Sequence, residues 1–357
     1  MPLQVTAFGR TISIPEDQPE DGPSFTTATL DAAHDYYQEN GYVVLRGLVP
    51  ENLCDAVRAG FDTLRHSRIP VLRQRNMSYE RNTFNADGFL DNPIFNVQDL
   101  PTRRCSAFKS AALDLLTSSR VIEAVSALLG ADRSKIVQSM FFEAPAGSWA
   151  HQDSYYQDSA AQLGRCVAGW FALEDIDAAA GRFYVCPGSH RGPLLRNVGE
   201  HDFATGHDRY KEAIASIVNR ETTRLCAPYL GKGDVLFWNS LTIHGSFSAA
   251  RPGLSRASLT AHYLSESDDM LQFHTRIREQ EFRLWNGVTV GQLHNQDTWH
   301  SHIVREVASR FPGPYLAGRK LALRVLMSRR EKSSGGRQIS QHPRSAGPEQ
   351  AFLDRTR

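Results

Sequence analysis

Residues 136–144 (IVQSMFFEA), 165–174 (RCVAGWFALE), 181–189 (GRFYVCPGS), 233–240 (GDVLFWNS), 241–246 (LTIHGS) and 258–264 (SLTAHYL) decide the fold. Each is a short run rich in β-branched and aromatic residues, and Gly, Pro, Asp and Ser separate them. Short strands punctuated in this way predict an antiparallel sandwich or barrel. The β core then occupies about 135–265.

The flanks read differently. LDAAHDYYQEN predicts a helix from about Thr29 to Asn40, ended by Asn40-Gly41. A short strand follows from Tyr42 to Arg46. Pro50 opens a second amphipathic helix, roughly Glu51 to His66, with Leu53, Val57, Phe61 and Leu64 on one face. Residues 70–105 read as irregular, and 110–130 as helix stopping at Gly130. HDRYKEAIASIVNRE reads as a helical insertion among the strands. After Tyr263 the pattern turns to helix and loop. Phe273, Phe282, Leu284, Trp285, Trp299 and Phe311 make Glu266–Leu323 either a buttress of the sheet or a cover for a substrate entrance. Residues 1–25 read as an extended lead-in, 26–328 as one domain, and 329–357 as a disordered basic tail.

Composition excludes several classes. A hydrophobic share of 41% with 22% charged residues fits a globular chain and not a disordered one. A net charge of +1 gives no drive toward nucleic acid or an anionic membrane. No apolar run is long enough to cross a bilayer. MPLQVTAFGRTISIPEDQPEDG lacks the basic start and apolar stretch of a secretory signal. The five cysteines, Cys54, Cys105, Cys166, Cys186 and Cys226, are scattered, with no CxxC. That predicts reduced thiols, no cysteine zinc site and a cytoplasmic protein. The partner is expected to be a small molecule, and the oligomeric state stays open.

SWAHQDSYYQ contains His151-Gln152-Asp153. On an extended backbone residues i and i+2 share a face, so this imidazole and carboxylate can bind one metal together. The alternative for such a triplet is a surface turn. His244 lies far downstream at the end of LFWNSLTIHGS, behind the turn Gly231-Lys232-Gly233-Asp234. A third ligand from a distant strand is what a sheet-based metal site requires. The alternative is a buried histidine bonded to a carbonyl. Two His and one carboxylate on one side of a metal leave three positions open, the facial triad of iron(II) oxygenases. Arg256 opens the next strand, where a guanidinium could grip the far carboxylate of 2-oxoglutarate in a bidentate pair, or make a surface salt bridge instead.

In their order, HQD, CPGSH, HGS and a following Arg, together with FTTATLDAAHDYYQENGYVVLRGLVPENL, resemble the phytanoyl-CoA dioxygenase family, which includes ectoine hydroxylases. The resemblance covers roughly 26–265. It implies a mainly β fold with flanking helices, a double-stranded β-helix (a cupin-like jelly roll). It also implies iron(II) on His151, Asp153 and His244, and 2-oxoglutarate and O₂ as co-substrates. Arg256 would bind the distal carboxylate, with Ser246 adding a hydroxyl. Gln138 and Trp170 would line the co-substrate pocket, or else pack the sheet.

The activity so implied is a dioxygenase that hydroxylates a C–H bond and releases succinate and CO₂. Halogenating relatives carry a small residue where Asp153 stands. A carboxylate there favours hydroxylation, with desaturation, ring closure and epimerisation as the other outcomes. Two departures, Ala180-Gly181-Arg182-Phe183 before the PGSH strand and Ala249-Ala250-Arg251 after His244, bear on the substrate. A metal-free jelly-roll binding module and a cupin-type metal enzyme without 2-oxoglutarate are the rival readings. Arg75, Asn76, Tyr155, Tyr156, His190 and Trp285 are the candidate substrate residues. The substrate class ranges over secondary metabolites, amino acids, sugars and acyl derivatives.

Overall fold

Gly41 decides where the first helix stops. The helix Leu30–Asn40 ends there because Gly41 takes φ 76° and its N–H returns to the Tyr37 carbonyl at 2.7 Å. The chain then enters the strand Tyr42–Leu45 directly. The computed structural model describes residues 2–17, 23–318 and 321. It divides into two units, Met1–Pro312 and Gly313–Arg357, ahead of the domain end read at 328. The tail read as disordered, 329–357, lies outside the described residues.

The major sheet has eight strands. From edge to edge they run Glu281–Trp285, Val288–Gln292, Ser134–Phe142, Ser258–Ser265, Val167–Ala172, Val235–Asn239 and Tyr42–Leu45, with Ile94–Phe95 also paired to Ser134–Phe142. Period-two alternation divides the side chains between two faces. Phe141, Leu259, Ala261, Phe171 and Phe237 join the cluster shared with the helices Glu51–Asp62, Thr102–Leu116 and Ser119–Leu129. Phe141 is its hub, with ring centroids 4.5 Å from Phe61 and 5.0 Å from Phe108. The other face carries Trp170, Leu236 and Trp238 into a second buried cluster.

A three-stranded sheet, ordered Phe183–Val185, His244–Ser246 and Ser148–His151, lies against that second face. Phe183 bridges the gap, 6.0 Å from Trp170 and 4.8 Å from Trp238. The two facing sheets with helices outside make the jelly roll. The smaller sheet is covered on its back by the helix His207–Val218 and by the N-terminal segment, through Ile14, Tyr184, Tyr210, Ile214 and Phe247.

Several local expectations need correction. The lead-in is a hairpin, with Leu3–Ala7 paired to Arg10–Ile14 across Phe8 and Gly9, both at positive φ. Residues 70–105 hold short paired strands, Val71–Leu72 with Tyr79–Glu80. The helix read over 110–130 is two helices that meet at Thr117-Ser118. Glu281–Trp285 and Val288–Gln292 form a hairpin and not a helix or loop. Asn286-Gly287, at φ 48° and 78°, turns it.

Two loops are clipped together beside the start of the smaller sheet. Asn197 is fully buried. Its Nδ2 donates to the Tyr155 carbonyl at 3.1 Å, and its backbone N–H donates to His274 Nδ1 at 3.0 Å. His274 Nε2 faces Ser154 Oγ at 3.2 Å. Because Nδ1 accepts, its lone pair must be free, and the ring is neutral. Burial, aided by Arg196, pushes this imidazole down to about 4.

Two predictions follow from this packing. A Cβ on Gly60 would lie 2.8 Å from the Phe108 Cα, where two helices touch. Gly60→Ala should lower the chemical-denaturation midpoint, since overpacking against backbone costs about 1–3 kcal/mol and helix propensity returns at most about 1. His274 has a folded pKa below its unfolded value. Its contribution is therefore complete above about pH 6.5 and is lost as pH falls toward 4. His274→Gln should flatten the fall of melting temperature over that window relative to wild type; an unchanged slope would remove His274 as its source.

Candidate metal centre

The smaller sheet brings His151 and His244 side by side as cross-strand partners, with ring centroids 4.3 Å apart. Asp153 follows at the first residue of a 3₁₀ turn, Asp153–Tyr155. One atom from each of His151, Asp153 and His244 lies within 4.8 Å of the others. Asp153 Oδ1 is 3.6 Å from His151 Nε2 and 3.5 Å from His244 Nε2.

The surroundings prepare these atoms for a cation. His151 Nδ1 donates to the Trp149 carbonyl at 3.0 Å, and His244 Nδ1 donates to the Thr242 carbonyl at 2.9 Å. A carbonyl can only accept, so each Nδ1 carries the proton and each Nε2 presents a lone pair. Asp153 Oδ2 accepts from Trp238 Nε1 at 2.8 Å and lies 3.1 Å from His262 Nε2, which leaves Oδ1 facing the imidazoles. Burial would push the Asp153 carboxyl up, but the neighbouring His244 and His262 hold it well below the usual range. Burial pushes the His244 imidazole down, toward its neutral, metal-binding form. Two bare imidazole nitrogens and one carboxylate oxygen match the donor set of an iron(II) facial triad.

Arg256 is 4% exposed. It donates to the carbonyls of Gly181, Phe247 and Ala146, and to Ser246 Oγ at 3.3 Å. No ion pair reaches it among the described residues. Burial, with Arg75 nearby, pushes the guanidinium down to about 10. Ser246 is two residues from His244 on one strand, so Arg256 lies along the face that carries the metal ligand. Trp170 is buried and packs against Phe183. Gln138 is opposite His262 in the sheet register.

The candidate substrate residues scatter. Tyr156 is close, its ring 6.0 Å from that of His151 and its hydroxyl 2.9 Å from His207 Nε2. Tyr155 is fully buried, stacked 3.6 Å from Tyr210, and donates to the His201 carbonyl. Arg75 is exposed and 3.6 Å from Asp91, and Asn76 is exposed and bonded to Glu80. His190 packs against the end of the first helix, with Nε2 3.1 Å from the Gln38 carbonyl, and is not brought to the triad. Trp285 joins the helix-side cluster and donates to Asp114 at 2.8 Å, which makes it a buttress. Arg251 forks onto Asp177 at the surface.

Sequence reading missed Trp238, His262, Trp149 and His207. His262 was within reach, because Arg256, Ser258, Thr260 and His262 alternate on one strand face and Arg256 had been singled out. Trp149 shares a face with His151 two residues on, at a centroid distance of 5.0 Å. His207 comes from the inserted helix and carried no local signal.

Known proteins show the family and the fold. The family model "Phytanoyl-CoA dioxygenase (PhyH)" matches residues 37–256, more than half of the chain. A probable phytanoyl-CoA dioxygenase of Caenorhabditis elegans is 24% identical over 67% of this chain and 75% of its own length. The peroxisomal phytanoyl-CoA dioxygenase of Homo sapiens is 24% identical over 64% of this chain and 67% of its own. Among solved structures, EctD from S. alaskensis with 2-oxoglutarate and 5-hydroxyectoine shares the fold at TM-score 0.51 and 18% identity, covering 73% of this chain and 87% of its own. The epimerase SnoN from nogalamycin biosynthesis does so at 0.50 and 15%, covering 74% and 98%. The chain belongs to the phytanoyl-CoA dioxygenase family of iron(II)- and 2-oxoglutarate-dependent oxygenases.

Proposed function

We propose that this chain hydroxylates a C–H bond of a small molecule, with iron(II) on His151, Asp153 and His244 and with 2-oxoglutarate gripped by Arg256. The observation that carries the reading is the pairing of two features on one strand face. A three-atom donor set lies at His244, and a buried guanidinium without a carboxylate partner among the described residues lies beside Ser246. A buried charge is costly unless an opposite charge meets it. A dicarboxylate spanning the two features would supply that charge. A metal-free binding module leaves both features without a purpose, and a metal enzyme without 2-oxoglutarate leaves Arg256 without one.

Bound together, iron(II) and 2-oxoglutarate supply O₂ activation coupled to release of succinate and CO₂. The chain does the rest. His151 and His244 present Nε2 in a fixed tautomer. Arg256 and Ser246 orient the co-substrate, and Trp170 and Gln138 flank it. Phe183 and Trp238 lie 5.4 and 4.9 Å from the His244 ring and keep that side dry. His151 keeps 21% of its side chain exposed against 3% for His244, so the substrate enters on the His151 side, past Trp149 and Tyr156.

His151→Ala, Asp153→Ala and His244→Ala should each abolish 2-oxoglutarate-dependent succinate formation while the fold survives by circular dichroism. Substantial activity in any one would remove that residue from the ligand set. Arg256→Ala should raise the KM for 2-oxoglutarate by the equivalent of about 2–5 kcal/mol, and Arg256→Lys should recover only part, since an ammonium lacks the planar fork. Trp285→Ala should lower the melting temperature and leave substrate KM unchanged; altered kinetics would return it to the pocket.

A further inference from the structure

Asp153 has a second oxygen that the metal reading does not use. Oδ2 is engaged by two ring N–H groups, Trp238 Nε1 at 2.8 Å and His262 Nε2 at 3.1 Å. Both rings are at most 2% exposed, and both belong to the major sheet, opposite the strands that carry the imidazole ligands. His262 Nδ1 has no hydrogen-bond partner among the described residues, so the ring's proton sits on Nε2 and points at the carboxylate.

We infer that Trp238 and His262 are positioning residues that hold the Asp153 carboxylate in one orientation, so that Oδ1 alone is offered to the metal. This rests on the reading of His151, Asp153 and His244 as ligands. A carboxylate free to turn can offer either oxygen or both. Offering both would use a position that the co-substrate or O₂ needs. Two donors on Oδ2 remove that freedom, and they come from different strands, Val235–Asn239 and Ser258–Ser265. The clamp therefore ties the ligand turn on one sheet to two strands of the other. Partners of this kind typically change metal affinity about 10- to 100-fold.

The test uses the metal-free full chain titrated with Co(II), read by chelator competition and by the visible Co(II) spectrum. Trp238→Phe removes one N–H and keeps most of the ring. His262→Leu removes the other donor. His262→Gln keeps an amide N–H at a similar reach. We expect Trp238→Phe and His262→Leu each to weaken Co(II) binding about 10- to 100-fold and to change the spectrum. His262→Gln should bind close to wild type, and metal-free melting temperatures should stay close to one another. Wild-type affinity and spectrum in both Trp238→Phe and His262→Leu would overturn the clamp. So would a loss in His262→Gln equal to that in His262→Leu, since the N–H would then be irrelevant. If the wild-type chain itself bound no Co(II), the ligand assignment would fail first, and the clamp with it.

Discussion

A carboxylate buried as deeply as Asp153 must be satisfied on every side or it will protonate. Its side chain is 9% exposed, yet it is held well below the usual carboxylate range. Four side chains from both sheets converge on it: Trp238 and His262 donate to Oδ2, while His151 and His244 bring bare Nε2 atoms to Oδ1, a side that a cation would satisfy. The jelly roll supplies these because its two sheets face each other across a gap that only inward-pointing residues fill. Each of the four sits on a different strand, so the fold itself is what assembles the site. The helices on the far side of the major sheet matter indirectly, since their cluster around Phe141 fixes the strand Ser258–Ser265, which carries His262 and which Arg256 precedes.

Arg256 poses the opposite problem. A guanidinium surrounded by carbonyl oxygens is hydrogen-bonded but not neutralised, and its lowered pKa records the cost. Asp153 and Arg256 are thus a buried negative group and a buried positive group, the first beside His244 and the second beside Ser246 two residues on. An anion that also chelates a metal held by His151, Asp153 and His244 would suit that pair of charges. The family's co-substrate has this chemistry, one carboxylate beside a keto group and another at the far end.

The sequence carried the parts of this site that lie on or next to a strand, although the strand ends at His151 and Asp153 opens a 3₁₀ turn. His151 and Asp153 are two residues apart, His244 ends an apolar run, and Arg256 opens the next strand, so period-two reasoning reached them. It could equally have reached His262. It could not reach contacts set by loop closure, such as His207 against Tyr156 or Asn197 against His274, because nothing local dictates where a loop lands. His190 misled because the PGSH turn lies near the metal ligands in sequence pattern, whereas its side chain folds back onto the first helix. In the C-terminal segment the hairpin was legible after all, since Asn286-Gly287 is a strong two-residue turn signal. The aromatic spacing around it was read as helix because Phe282, Leu284 and Trp285 also fit that period over so short a window.

The same distinction explains why the chemistry is clearer than the substrate. His151 and His244 are fixed by sheet register, and Asp153 by the 3₁₀ turn that follows and by its two donors, which leaves little freedom. Beside them stand Trp149, which is 39% exposed, Tyr156 and His207, with Lys211 5.3 Å over the Trp149 ring. His207 and Lys211 come from the inserted helix His207–Val218, and Phe203, stacked on Phe273 from a different loop, borders the same aromatic group. These elements lie outside the two sheets, so their sequence can change without disturbing the triad. Trp149 itself belongs to the strand Ser148–His151, so one member of the group is set by the same register as His151, while His207 and Lys211 are not. On the proposed function, reaction type would be carried by the strands, and substrate choice would fall largely to the helix and loops beside them.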